Sequence, residues 1–121
     1  MVLDTNILIA YLNGDEGIIT AVSDWKKEGR ILFISSLSTA EVLSLPGLSL
    51  DDIAIIKKFL HDFISIPFDD TLADSASLIR RAYHIGITDA AIAATALTRN
   101  VPLVTRDKQF LKIKELTIVT I

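Results

Sequence analysis

Met1-Val2-Leu3-Asp4-Thr5-Asn6-Ile7-Leu8-Ile9 is the stretch that decides how this chain is read. Two apolar residues end on a carboxylate, and an apolar helical stretch, Ile7 to Leu12, follows at once. A short strand that feeds straight into a helix opens an alternating α/β chain. In an open sheet of that kind, ligands bind beyond the carboxyl ends of the strands. Asp4 stands at such an end.

The same alternation continues outward. Asn13-Gly14 closes the first helix, and Asp15-Glu16 opens a second to about Lys27, with Ile18, Ile19, Val22 and Trp25 on one face. Ile31 to Ser35 is a strand apolar on both sides, the pattern of a parallel sheet covered by helices on each face. A short helix, Leu37 to Leu45, breaks at Pro46-Gly47. Ser49 caps the next helix, Asp51 and Asp52 lie in its first turn, and Ile53, Ile56, Phe59, Leu60 and Phe63 form its core face. Ile64-Ser65-Ile66 is a third strand. A long helix from Asp69 or Asp70 carries Leu72, Ala76, Ile79 and Tyr83 and ends at Gly86. Thr88 opens an alanine-rich helix, Asp89 to Arg99; Leu103-Val104-Thr105 is strand four. After a helical turn around Phe110 and Leu111, Leu116 to Ile121 is strand five. Residues 1–121 therefore read as one α/β domain with a mainly parallel five-stranded sheet.

Composition narrows the function classes. Half of the 121 residues are hydrophobic and the mean hydropathy is +0.47, which excludes a disordered chain. There is no cysteine, so disulfides, thiolate metal sites and a cysteine nucleophile are excluded. No apolar run approaches the roughly 18 residues of a membrane span, and nothing resembles a signal peptide, so a cytoplasmic protein is expected. Glycine-rich phosphate and dinucleotide loops are absent. The net charge of −3 runs against the basic surface usual in nucleic-acid binders. Bound cations and local basic residues would have to supply that attraction.

Four carboxylates carry the chemistry. Singly, each has a local explanation. Asp4 can cap the first helix. Ser38-Thr39-Ala40-Glu41 matches a capping box. Asp89 suits the first turn of its helix, and Asp107 can cap the turn into Phe110. Their placement makes a stronger case together. Asp4 ends strand one, Glu41 begins the helix after strand two, and Asp107 follows strand four. The helix starting at Asp89 must return to the beginning of strand four, so it starts at the same carboxyl edge. The helix from Asp69 leaves strand three at that edge too, and so cannot return simply along the sheet. Clustered carboxylates repel one another unless cations neutralise them. Oxygen-only ligands favour Mg²⁺ or Mn²⁺, which activates water against a phosphodiester. Thr5, Asn6 and Thr105 add polar groups at the same rim, as support or as ordinary turn residues. Arg106 and Lys108 can follow an RNA backbone toward the acids, whereas Lys112 and Lys114 read as a solvated face. His61 and His84 lack ligand spacing. Leu43, Leu45, Leu48 and Leu50, around a breaker, suit either a partner surface or packing between helices.

Four blocks together resemble the PIN domain family, most of all its short VapC-type ribonuclease toxins. They are Leu3-Asp4-Thr5-Asn6-Ile7-Leu8-Ile9, Ser38-Thr39-Ala40-Glu41-Val42, Thr88 to Ala96, and Leu103 to Phe110. The resemblance implies a three-layer Rossmann-like sheet of order 3-2-1-4-5 and a Mg²⁺- or Mn²⁺-dependent endoribonuclease. By position, Asp4, Glu41, Asp89 and Asp107 become the catalytic and metal-binding set, with Thr5, Asn6 and Thr105 as polar support. It further implies a homodimer held inactive by a small antitoxin protein. Gln109 departs from the pattern, standing where many members carry another acid. Two other readings compete with RNA hydrolysis. One is a non-catalytic protein-interaction module. The other is an aspartyl-phosphate phosphatase with Asp4 as nucleophile, ranked lower because haloacid-dehalogenase-like proteins carry a second Asp where Asn6 stands.

Overall fold

The computed structural model describes residues 1–121. Five strands form one sheet: β1 (Val2–Leu3), β2 (Phe33–Ser35), β3 (Ile64–Ile66), β4 (Leu103–Val104) and β5 (Ile118–Val119). All pairs are parallel and the order is β3-β2-β1-β4-β5, as expected. Successive side chains of a strand point to opposite faces, and here that alternation divides the core in two. Val2, Phe33 and Leu103 pack on the face covered by α5 (Asp70–Tyr83) and α6 (Ile87–Arg99). Leu3, Ile34 and Val104 pack on the other. That second face is covered by α1 (Thr5–Leu12), α2 (Glu16–Lys27), α3 (Ser36–Leu43) and α4 (Leu50–Leu60). The result is three layers around a sheet with no solvent-facing side. No helix is long and apolar enough to cross a membrane.

Caps set several boundaries. Asp15 accepts from the Ile18 N–H at 3.1 Å to start α2, and Asp69 from the Leu72 N–H at 3.0 Å to start α5. Ser49 and Asp52 exchange hydrogen bonds of 3.0 Å in a capping box at the head of α4. Such caps each contribute about 1 kcal/mol. Tyr11 belongs to the core layer: its ring stacks on Phe59 at 4.5 Å, and Phe59 meets Phe63 edge-on at 5.1 Å.

Helix α5 does not return along the sheet. Asp69 and Leu72 at its start border the same cleft as Thr95, Thr98 and Arg99 at the end of α6. The two helices are therefore antiparallel and make the β3-to-β4 connection as a hairpin. His84, left-handed at φ 56°, closes α5, and Gly86 is the N-cap of α6. Every residue from Ala90 to Ala96 is buried, because α6 meets the sheet, α5 and α3. Only small side chains let a helix approach three neighbours at the packing density of a protein interior.

Some edges differ from the sequence reading. Strand β2 begins at Phe33; Ile31 is 58% exposed, and its carbonyl accepts only from the Met1 ammonium at the head of β1. Helix α3 starts at Ser36 with Ser35 as N-cap, and α6 starts at Ile87, one residue before Thr88. Gly86 does not end α5; His84 does.

Candidate active site

Asp4 occupies the N-cap position of α1, yet its carboxylate makes no capping bond. It is 2% exposed, and its Oδ2 accepts from the Thr105 hydroxyl at 2.7 Å. Thr105, just past β4, in turn accepts from the Asp107 N–H at 3.0 Å. One buried hydroxyl thus ties the end of β1 to the turn that carries Asp107. Asp107 is also a cap, as its local sequence suggested: its Oδ1 accepts from the Gln109 N–H at 2.9 Å at the head of a 3-10 turn, Lys108–Lys112.

Asp89 comes from the other layer, in the first turn of α6. Glu41 comes from α3, where the expected capping box is absent. Ser38 lies inside the helix instead of at its cap, and the Glu41 Oε1 accepts from the Thr5 hydroxyl at 3.1 Å. The four acids feel one another. Burial pushes the Asp4 carboxyl up to about 6, against the pull of the Thr105 hydrogen bond, and the charges of Asp89 and Asp107 add to the rise. Burial also raises the Asp89 carboxyl, with further contributions from Asp107 and Glu41. The sheet and two helical layers therefore gather all four at one edge.

Of the predicted supports, Thr5 and Thr105 are buried and hydrogen-bonded to site acids. Asn6 is exposed and makes no side-chain hydrogen bond. Arg106 is drawn off toward α2: its guanidinium grips Asp15 at 2.7 and 3.4 Å and the Ile121 carbonyl at 3.0 Å. Lys108 is exposed and forms no ion pair. Two contributors escaped the sequence reading. Ser38, fully buried, lies 2.8 Å from the Thr5 hydroxyl, and Asp15 is the anchor of Arg106. Ser38 carried a visible signal, its three-residue spacing from Glu41 on one helix face.

No three acidic or histidine side chains are gathered tightly enough to ligate one ion directly. The donor set still fits a hard divalent cation. All its atoms are oxygens, and Mg²⁺ is commonly held through one or two carboxylates with several waters retained. Burial, with a smaller contribution from neighbouring acids, raises Asp4 and Asp89, and a cation would offset both effects.

A family model for the PIN domain matches residues 1–116. The chain belongs to the PIN domain family. Solved structures share its fold. A toxin-antitoxin complex from Klebsiella pneumoniae superposes with a TM-score of 0.84 at 27% identity, covering 98% of this chain and 95% of that one. VapBC2 from Rickettsia felis, bound to a DNA fragment from its promoter, gives 0.84 at 23%, and DNA-bound VapBC from Salmonella typhimurium 0.83 at 24%. Both of these cover 98% of this chain and 96% of the other, and at such identities they bear on the fold alone. Among curated proteins, none matches the sequence significantly.

The raised carboxyls give this PIN domain a testable pH dependence. Asp4 folded binds its proton up to about pH 6, unfolded only up to about 4. Between those values the folded state holds more protons, so stability falls as pH rises. The loss is roughly 3 kcal/mol for a shift of about two pKa units, and Asp89 acts in the same direction. Below about pH 4 the trend reverses, because hydrogen bonds hold Asp15 and Asp52 low. Urea unfolding in EDTA should therefore give a higher midpoint at pH 4.5 than at pH 6.5, a window below the range in which the lowered Met1 ammonium titrates. Equal midpoints would contradict the burial of an ionisable Asp4.

Proposed function

We propose that this chain is a Mg²⁺- or Mn²⁺-dependent endoribonuclease, a cytoplasmic VapC-like toxin that hydrolyses RNA phosphodiester bonds. The observation that carries the reading is the collection of Asp4, Glu41, Asp89 and Asp107, from four separated segments, at the carboxyl edge of a parallel sheet. The PIN assignment and the likeness to subunits of toxin-antitoxin complexes support it. Bound metal supplies an activated water and charge stabilisation at the phosphodiester. The protein supplies the rest. Asp4, held by the Thr105 hydroxyl, would bind the ion with little reorganisation. Glu41, Asp89 and Asp107 complete the acidic set and orient water around it. Lys108, beside Asp107, meets the RNA backbone.

The partners proposed are a second copy of the chain and a small antitoxin protein. An open apolar cleft of about 250 Å³ lined by Ile9, Leu12, Leu45, Leu48, Ile55 and Ile56 offers surface to such a protein. Beside it, Leu50 is 85% exposed.

The test is a panel of single-stranded and structured RNAs incubated with Mg²⁺, Mn²⁺ or EDTA, beside Asp89→Asn. Cleavage that needs metal and disappears in the variant is the expected result. A wild type that neither cleaves RNA nor binds metal would overturn the reading. The net charge of −3 favours one competitor, a protein-interaction module that keeps the fold without the chemistry. Millimolar Mn²⁺ separates them, since a ligand of the native state raises the melting temperature and the module predicts no rise.

A further inference from the structure

Ser38 has one hydrogen-bond partner, the Thr5 hydroxyl at 2.8 Å, and its side chain is fully buried. Thr5 is itself 5% exposed and lies 3.1 Å from Glu41 Oε1. A hydroxyl has a single proton to give, and an ionised carboxylate can only accept. Thr5 therefore gives its proton to Glu41 and receives one from Ser38. No other acceptor lies within reach of the Ser38 proton, so the chain of bonds has one direction. Glu41 itself is exposed and makes no other side-chain hydrogen bond.

From this geometry we infer that Ser38 is a positioning residue for Glu41, acting through Thr5. Its hydroxyl commits the Thr5 proton to the carboxylate and so holds an otherwise solvent-swept glutamate in one orientation toward the site. The inference deepens the metal-dependent reading above and rests on it for its functional consequence. Outer hydrogen-bond partners of metal ligands typically change metal affinity about 10–100-fold when removed. Ser38 acts at one remove and on one of four acids, so the lower end of that range is expected.

The experiment uses the whole protein in two states. In EDTA, side-chain scalar couplings of Glu41 measured by NMR report its rotamers. Wild type is expected to show one rotamer, and Ser38→Ala and Thr5→Val averaged ones. With Mn²⁺, calorimetry should give about 10-fold weaker binding for Ser38→Ala, recovery in Ser38→Thr, and no further loss when Ser38→Ala is added to Thr5→Val. Such non-additivity is what coupling through a shared partner produces. Alanine suits a helix interior; should that variant fail to fold, Ser38→Cys keeps the volume with only a weak donor. Unchanged Glu41 couplings, or losses that add independently of Thr5, overturn the inference. A wild type that binds no Mn²⁺ defeats the metal reading instead, and the couplings in EDTA still decide the role of Ser38.

Discussion

Asp4→Asn is expected to abolish RNA cleavage and, in EDTA at pH 7, to stabilise the protein. The two effects have one cause. Asp4 is buried at the end of β1, and its ionised form is unfavourable enough to raise its pKa to about 6. Asparagine keeps the shape and an oxygen for the Thr105 hydroxyl but carries no charge. Removing that charge should return up to roughly 3 kcal/mol at pH 7, a rise in Tm of up to roughly 12 °C. The same charge is what a cation would bind. Loss of an outer-shell partner alone costs about 10–100-fold, so loss of the buried carboxylate should cost more than about 100-fold in cleavage. Gel-based RNA cleavage and calorimetric melting check the pair. Cleavage retained in the variant would remove Asp4 from the site. Cleavage and stability falling together would make Asp4 an ordinary structural residue.

Phe110→Ala should be the most damaging single truncation in the core, at about 3–5 kcal/mol. Phe110 is fully buried on the α5–α6 face and is the largest fully buried side chain of the protein. A typical domain has only about 5–15 kcal/mol in total. The position matters as much as the volume. Phe110 pins the 3-10 turn that Asp107 caps, and its N–H reaches the Asp107 carbonyl at 3.4 Å. The cavity should therefore loosen one corner of the site, and cleavage by the folded fraction should fall as well. Urea denaturation measures the first effect, and a destabilisation under about 1 kcal/mol would show that the turn collapses into the gap. Phe110→Leu, which leaves a smaller void, should recover much of both losses.

Strand positions were legible because apolar runs and the flanking helices are local patterns, whereas the strand order came only from the family resemblance. Val2 and Leu3, one residue apart, already belong to opposite faces. The acids were legible as strand-end residues, Asp4 and Asp107 above all. The misreadings concern partners distant in the chain. Ser38 and Glu41 have capping-box spacing, but tertiary structure gives the cap to Ser35 and turns both residues toward Thr5, more than 30 residues away. Arg106, read as a phosphate contact beside Asp107, also pairs with Asp15 across 91 residues, a partner that no local pattern shows. His84 ends α5 because the chain needs one left-handed residue there; Gly86, two residues on, is spent as the cap of α6.

The burial of α6 from Ala90 to Ala96 bears on how such a protein can change over generations. A helix with no free face has no spare side on which to accumulate substitutions. Enlarging any of those alanines would push against sheet, α5 or α3. Asp89, at the head of that helix, is thereby held at nearly constant depth whatever happens elsewhere. Diversification of what the site accepts is left to its exposed rim, at Asn6, Lys108, Gln109 and the outer residues of α3. Homologues recruited to different targets should look alike along α6 and unlike around the mouth of the site.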